Sequence, residues 1–169
     1  ITAATATPSD ESIYLYGNDY TWKRAYEPID DPAGQVDLVS DDSGTILASL
    51  GNGHSFALQC ARGLIADGRR IDLIPCAKGG SSMSEWMPGG DRSDRSTLFG
   101  SANYRRSQAI VSSVSGILYF GHENQAGDGT YATQWANLVT ELRTNFGASV
   151  PIFYCQLAKH TNATSNANQ

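Results

Sequence analysis

Apolar positions along the chain fall into short alternating runs separated by longer helical faces. "SIYLYG", Ser12 to Gly17, alternates in the manner of a half-buried strand. The polar and aromatic stretch "NDYTWKRAYEPIDDPAGQ" that follows reads as a long loop, with Pro28 and Pro32 as breakers. Between His54 and Ala66, the residues Phe56, Ala57, Cys60, Ala61, Leu64 and Ile65 share one helix face, and Asp67-Gly68 ends it. The aliphatic run Ile71 to Cys76 predicts a second strand. Residues 77–100 carry no periodicity. Ala102 to Val114 predicts a helix and Ser115 to Gly121 a further strand. Trp135, Leu138, Val139, Leu142 and Phe146 recur at intervals of three and four, so Thr130 to Phe146 predicts a helix, with Gly147 as its C-cap. "VPIFYCQLA" supplies a last strand, and residues 159–169 read as a flexible or truncated tail.

Strands alternating with helices predict an α/β domain, a parallel sheet covered by helices on both faces. The 169 residues suit one domain, 1–169, with a normal core. Hydrophobic residues make up 40% and charged residues 17%, so the surface rests on Ser, Thr, Asn and Gly. A net charge of -5 and a pI near 5.0 exclude the concentrated basic stripe that nucleic acid requires. The basic pairs Arg69-Arg70 and Arg105-Arg106 read as solvated surface. No apolar run approaches the roughly 20 residues of a membrane span. Cys60, Cys76 and Cys155 are too far apart for a metal site, and each sits in an apolar run where a free Cys acts as a small hydrophobe. Asn162-Ala163-Thr164 fits a glycosylation sequon, a pattern too short to carry weight.

Two strands lead into loops of unusual chemistry. "AKGGSSMSEW" follows the 71–76 strand, and "GHENQAGDG" follows the 115–120 strand. In a parallel sheet every strand-to-helix loop emerges at the same edge, the edge where ligands bind. The second loop places His122, Glu123, Asn124 and Gln125 together. A Gly-rich turn offering backbone N–H groups, joined by an Asn amide, is what an oxyanion hole requires.

These blocks carry a resemblance. A strand followed by "PCAKGGSSMSEW", then a strand followed by "GHEN", resembles the SGNH hydrolase superfamily, more closely its sialate O-acetylesterase and acetylxylan esterase branch, carbohydrate esterase family 6. "IYLYGNDYTWKRAYEPI" resembles the same branch, and the likeness runs from about Ser12 to Leu157. It implies a three-layer αβα sandwich with a flavodoxin-like sheet, and a serine esterase that removes O-acetyl groups from carbohydrate without metal or cofactor. It implies Gly79 and Asn124 as oxyanion donors, Glu123 orienting Asn124 from behind, and His122, Ser81 and Trp86 near the substrate. Esterases of this kind occur as phage tail appendages, which implies a virion-associated or extracellular place, with a secreted bacterial enzyme as the alternative. An O-acetylated polysaccharide is the implied partner; assembly as a homo-oligomer stays open.

The chain departs from the branch at two points. No Gly-Asp-Ser or Gly-Gln-Ser-Asn nucleophile block is present, since Gly34-Gln35 is followed by Val36. The closing Asp-x-x-His is also absent, because Leu157 stands three residues before His160. The nucleophile and its base are therefore expected outside this segment, in an extra segment or second chain that completes the domain. Ser55, served by His122 or His160, is the rival that keeps the chemistry inside, since His54 points about 100° away from Ser55 at a helix start; Ser81 or Ser82 is a further candidate nucleophile, although the resemblance implies a loop-shaping role for Ser81. A retired enzyme that only binds carbohydrate is the second class of function, with Trp22, Tyr26 and Trp86 as stacking faces. The flavodoxin-like order also predicts a gap between the 12–16 and 71–76 strands, filled by a strand from elsewhere, without which the segment should not fold alone.

Overall fold

The structure is a computed structural model that describes residues 12–37, 39, 55–65, 68–121, 125 and 128–155. In chain order its elements are β1 (Ile13–Tyr16), β2 (Trp22–Arg24), α1 (Phe56–Ile65), β3 (Ile71–Leu73), a 3-10 helix (Met83–Trp86), α2 (Leu98–Gln108), β4 (Ile117–Tyr119), α3 (Tyr131–Phe146) and β5 (Ile152–Tyr154). The chain divides into two compact units, Ile1–Lys78 with Tyr104–Ile110, and Gly79–Asn103 with Val111–Gln169. The tail at 159–169, its sequon and all three histidines lie outside the described residues.

In the first unit β1 is the middle strand of the order β2-β1-β3. It runs antiparallel to β2, with Tyr16 opposite Trp22, and parallel to β3, with Ile13 opposite Ile71 and Leu15 opposite Leu73. This pairing overturns the expected gap. Period-2 alternation puts Ile13, Leu15, Ile71 and Leu73 on one face at matched register, where they join a core with Leu58 and Ala61 of α1. Pairing β1 directly with β3 buries all four on the same helix and satisfies the backbone groups that a gap would have left open. The prediction that the segment cannot fold alone rested on that gap and falls with it.

The expected loop at 18–35 contains β2, which makes this sheet mixed rather than parallel. Gly17 N–H bonds to Thr21 O at 3.0 Å, and Tyr20 N–H to Gly17 O at 3.0 Å, closing a tight turn in which Tyr20 takes φ 60°. Two consecutive basic residues, Lys23 and Arg24, hid the strand from a periodicity reading. On α1 the buried positions are Leu58 and Ala61, whereas Cys60 and Leu64, placed on the core face by sequence, are exposed. The other two thiols are half-buried, and all three are free.

The second unit holds a separate parallel pair, β4 with β5, in register Ile117 to Ile152 and Tyr119 to Tyr154. Its core is Met83, Phe99, Tyr131, Leu138 and Leu142, with Trp86, Trp135 and Phe146 packed against it. α3 follows the sequence reading closely: Gly147, at φ 135°, closes it by donating to Arg143 O at 3.0 Å. α2 begins earlier and ends earlier than expected. Thr97 Oγ1 accepts from Gly100 N–H at 3.1 Å, the bond of an N-cap. A Cβ on Gly100 would stand 2.0 Å from the Asp94 carbonyl oxygen, so only glycine allows the cap to close. The fold is a mixed α/β arrangement of short sheets and three helices among the described residues. None of those helices is long and apolar enough to cross a membrane.

Candidate active site

The Gly79 loop is built from the inside outward. Met83 is fully buried in the second core and anchors the 3-10 helix. Glu85 accepts from the Ser82 N–H at 2.7 Å and from Ser82 Oγ at 2.7 Å, which fixes the entry to that helix. Trp86 lies half-buried on the same core, and its indole N–H donates to Ser81 Oγ at 2.8 Å. Gly80 takes φ +70°, a conformation glycine adopts without steric cost. Gly79 is exposed, and its N–H has no acceptor among the described residues.

The loop after β4 reaches this one through Gln125. Its Oε1 accepts the Met83 N–H at 2.7 Å, and its Nε2 donates to Gln134 Oε1 at 3.1 Å. Gln134 Nε2 donates in turn to Thr130 Oγ1 at 2.7 Å, and Thr130 donates through N and Oγ1 to Asp128 Oδ1, both at 2.8 Å. The two Thr130 bonds, the backbone one foremost, hold the Asp128 carboxyl below its usual range. This chain of side chains ties the loop to the first turns of α3 and to the Gly79 loop. The structure thus brings together Gly79, Ser81, Trp86 and Gln125 in one unit. His122, Glu123 and Asn124, which immediately precede Gln125, lie outside the described residues.

Each rival nucleophile that is described has a local structural bond. Ser55 Oγ accepts from Ala57 N–H at 3.0 Å as the N-cap of α1, and both Glu27 oxygens accept from Ser55 N–H at 3.1 Å. Ser81 Oγ holds Trp86, and Ser82 Oγ holds Glu85. Of the stacking candidates in the first unit, Trp22 donates to Ala109 O at 3.3 Å and Tyr26 OH to Asp31 Oδ2 at 2.6 Å. Burial, with Asp31 beside it, pushes the Tyr26 phenol well above its ordinary value.

Sequence reasoning misjudged Arg105. It was assigned to solvated surface, yet it is 1% exposed, and its Nη2 donates to the Tyr16 carbonyl at 3.0 Å. The signal was available: Leu98, Ser101, Arg105 and Ala109 recur at helical spacing, and all four are buried. Only the width of that stripe, with two small residues in it, kept the arginine from standing out. Arg70, by contrast, is the surface residue expected, lying over the Tyr14 ring at 4.4 Å and paired with Asp72 at 2.8 Å.

The family model described as carbohydrate esterase, sialic acid-specific acetylesterase, matches residues 1–169, and the chain belongs to that family. A "Probable carbohydrate esterase At4g34215" from Arabidopsis thaliana is 26% identical over 154 residues, covering 88% of this chain and 54% of that protein. The X-ray structure of the Arabidopsis thaliana protein AT4G34215 shares the fold, with a TM-score of 0.69 at 22% identity over 94% of this chain and 63% of that one. The chain spans about half the length of the curated relative it matches.

Proposed function

We propose that this chain carries the oxyanion side of a serine esterase that removes O-acetyl groups from carbohydrate. The observation that carries the reading is the 2.7 Å bond from Met83 N–H to Gln125 Oε1, which draws the loop after β4 onto the Gly79 loop in a member of a carbohydrate esterase family. Support comes from an exposed Gly79 N–H with no acceptor among the described residues, and from Asn124 standing one residue before the clamp at Gln125 in sequence, the two donors such a site would use.

In the proposed reaction a serine outside this segment attacks the acetyl carbonyl, and a histidine, also outside it, takes the serine proton. Gly79 N–H and the Asn124 amide stabilise the tetrahedral oxyanion, with Glu123 orienting the amide. Collapse expels the sugar hydroxyl, which takes the proton from the histidine. Water then cleaves the acetyl-serine to acetate and free serine. His122, Ser81 and Trp86 border the sugar. The bonds already made by Ser55, Ser81 and Ser82 support an external nucleophile.

The test is acetate release, followed by NMR, from an O-acetylated polysaccharide by the protein that carries this chain. Release of acetate is expected, and carbohydrate binding without release would overturn the esterase reading in favour of a binding domain. The 169 residues alone should leave p-nitrophenyl acetate intact. Turnover together with serine-directed labelling at Ser55, Ser81 or Ser82 would overturn the external nucleophile.

A further inference from the structure

Met83 N–H and the Asp128 carboxylate stand at the two ends of a relay whose hydrogen bonds all run one way. Met83 N–H donates to Gln125 Oε1 at 2.7 Å, and Gln125 Nε2 donates to Gln134 Oε1 at 3.1 Å. Gln134 Nε2 donates to Thr130 Oγ1 at 2.7 Å, and Thr130 Oγ1 donates to Asp128 Oδ1 at 2.8 Å. Chemistry fixes both ends, because a backbone N–H only donates and a carboxylate only accepts. The three groups between them, one hydroxyl and two amides, each carry a donor and an acceptor and could face either way. They stand head to tail because both ends demand the same direction.

The backbone closes the relay into a ring. Asp128 N–H donates to Gln125 O at 3.0 Å, and Gln134 N–H donates to Thr130 O at 3.0 Å. Asp128 is an anion near neutral pH: Thr130 N–H foremost, then the Thr130 hydroxyl and, more weakly, the Gln125 amide hold its carboxyl below the usual range. An ionised acceptor makes the stronger bond, and bonds in series polarise one another. Without that acceptor the Thr130 hydroxyl is free to donate toward Gln134, and both amides can turn over. A turned Gln125 sets its NH2 group against Met83 N–H, two donors with no bond between them, and an unmade bond there is costly.

We propose that Asp128 is a positioning residue for the candidate site: it sets the direction of the relay and, through Thr130 and Gln134, turns the Gln125 oxygen onto Met83 N–H. The loop after β4 is thereby held on the Gly79 loop. The proposal rests on the esterase reading of the two loops and adds the group that orients them.

Asp128 also has a local role, since its Oδ1 accepts Thr130 N–H at 2.8 Å beside the start of α3. Thr130→Val separates the two roles, because it keeps the N–H and the side-chain shape but removes the hydroxyl. The first readout is hydrogen exchange at the Met83 amide, followed by NMR in the chain. Exchange should quicken roughly three- to tenfold in Thr130→Val and in Asp128→Ala, the size of one lost hydrogen bond. Thr130→Ser, which restores the hydroxyl, should return the rate toward that of the unchanged chain, and the Asp128→Ala, Thr130→Val double variant should lose no more than either single one. An unchanged rate in Thr130→Val, equal acceleration in Thr130→Ser, or additive losses in the double variant would overturn the proposal. If Asp128→Ala does not fold, the Thr130 pair decides. The second readout is acetate release by the protein that carries this chain. There Thr130→Val should lower kcat between about tenfold and 10²-fold with little change in KM, and an unchanged kcat in a variant whose Met83 amide exchanges faster would overturn the positioning role. A protein that releases no acetate fails the esterase reading, and the exchange comparison then decides the relay by itself.

Discussion

Arg105 in the first unit and Gln125 in the second are both polar groups placed near the carboxyl end of a parallel strand pair, and the protein treats them in opposite ways. Gln125 has an acceptor bond at one end of its amide and a donor bond at the other, to Met83 and Gln134. Among the described residues, Arg105 makes one bond and leaves Nε and Nη1 buried without a partner. A closed amide works as a clamp: it fixes where two loops meet. A cation buried on one bond is costly, since its charge is desolvated with no further partner among the described residues to offset it. The difference separates a residue that joins two loops from one whose charge is buried on a single bond.

That contrast can be broken at several points. The largest effect belongs to Asn124, the proposed donor one residue before the clamp. In the active protein, Asn124→Ala should lower turnover by roughly 10²–10³ with a smaller change in KM, and an unchanged rate would remove Asn124 from the reaction. Gln125→Leu should destabilise the chain by about 1–3 kcal/mol in urea titration, because the Met83 N–H and the Gln134 amide lose their partner. Arg105→Met should do the reverse, leaving stability unchanged or raising it by about 1 kcal/mol, because an apolar side chain replaces a buried charge that has no ion-pair partner among the described residues. Equal losses in both variants would erase the distinction drawn here.

Smaller effects sharpen the first unit. Ile110 is 91% exposed and sits at φ 56°, a region costly for a β-branched residue. Ile110→Gly should therefore stabilise by about 0.5–1 kcal/mol in the same titration, after the greater freedom glycine gives the unfolded chain. Alkaline pH acts through Cys76. Its thiol is pushed up from 9.0 to about 11 by burial, so the folded state holds a proton that the unfolded state loses. The resulting stability is complete below pH 9 and lost as pH rises toward about 11. In Cys76→Ala this part of the decline should vanish from a pH series of melts, leaving the later fall due to Tyr26 and Tyr119, whose phenols burial also raises.

Elements with strong periodicity were legible from residues alone. α3 and its cap at Gly147 stand where Trp135, Leu138 and Leu142 placed them, and β1 follows from the alternation of Ile13 and Leu15. β2 was not legible, because its three residues Trp-Lys-Arg have no alternation to read and depend on the turn at Tyr20. Nor was the start of α2, which depends on Thr97 capping and on the clearance at Gly100 rather than on an apolar stripe. The expected gap beside β1 came from the topology of a whole superfamily, and the matched register of Ile13 and Leu15 with Ile71 and Leu73 overrode it. For the candidate site, the Gly-Gly-Ser-Ser loop and the loop after β4 were visible as motifs. Their joining through Gln125 was not, since a glutamine in a polar loop carries no sign of its partner until the chain is folded. Arg105 was misread for the opposite reason: a charge in sequence reads as surface unless its helix face is traced.

The central claim is that the Gly79 N–H and the Asn124 side-chain amide converge on one point. Two donors that each lie about 3 Å from a single oxygen must bring their protons within reach of one another. A nuclear Overhauser measurement between the Gly79 amide proton and the Asn124 side-chain amide protons reads this directly. The account predicts a clear cross-peak in the unchanged chain, lost in Asn124→Ala and weakened in Gln125→Leu. No cross-peak in a folded chain whose Met83 amide is protected from exchange would show that the two loops meet without forming an oxyanion hole, and would contradict the claim.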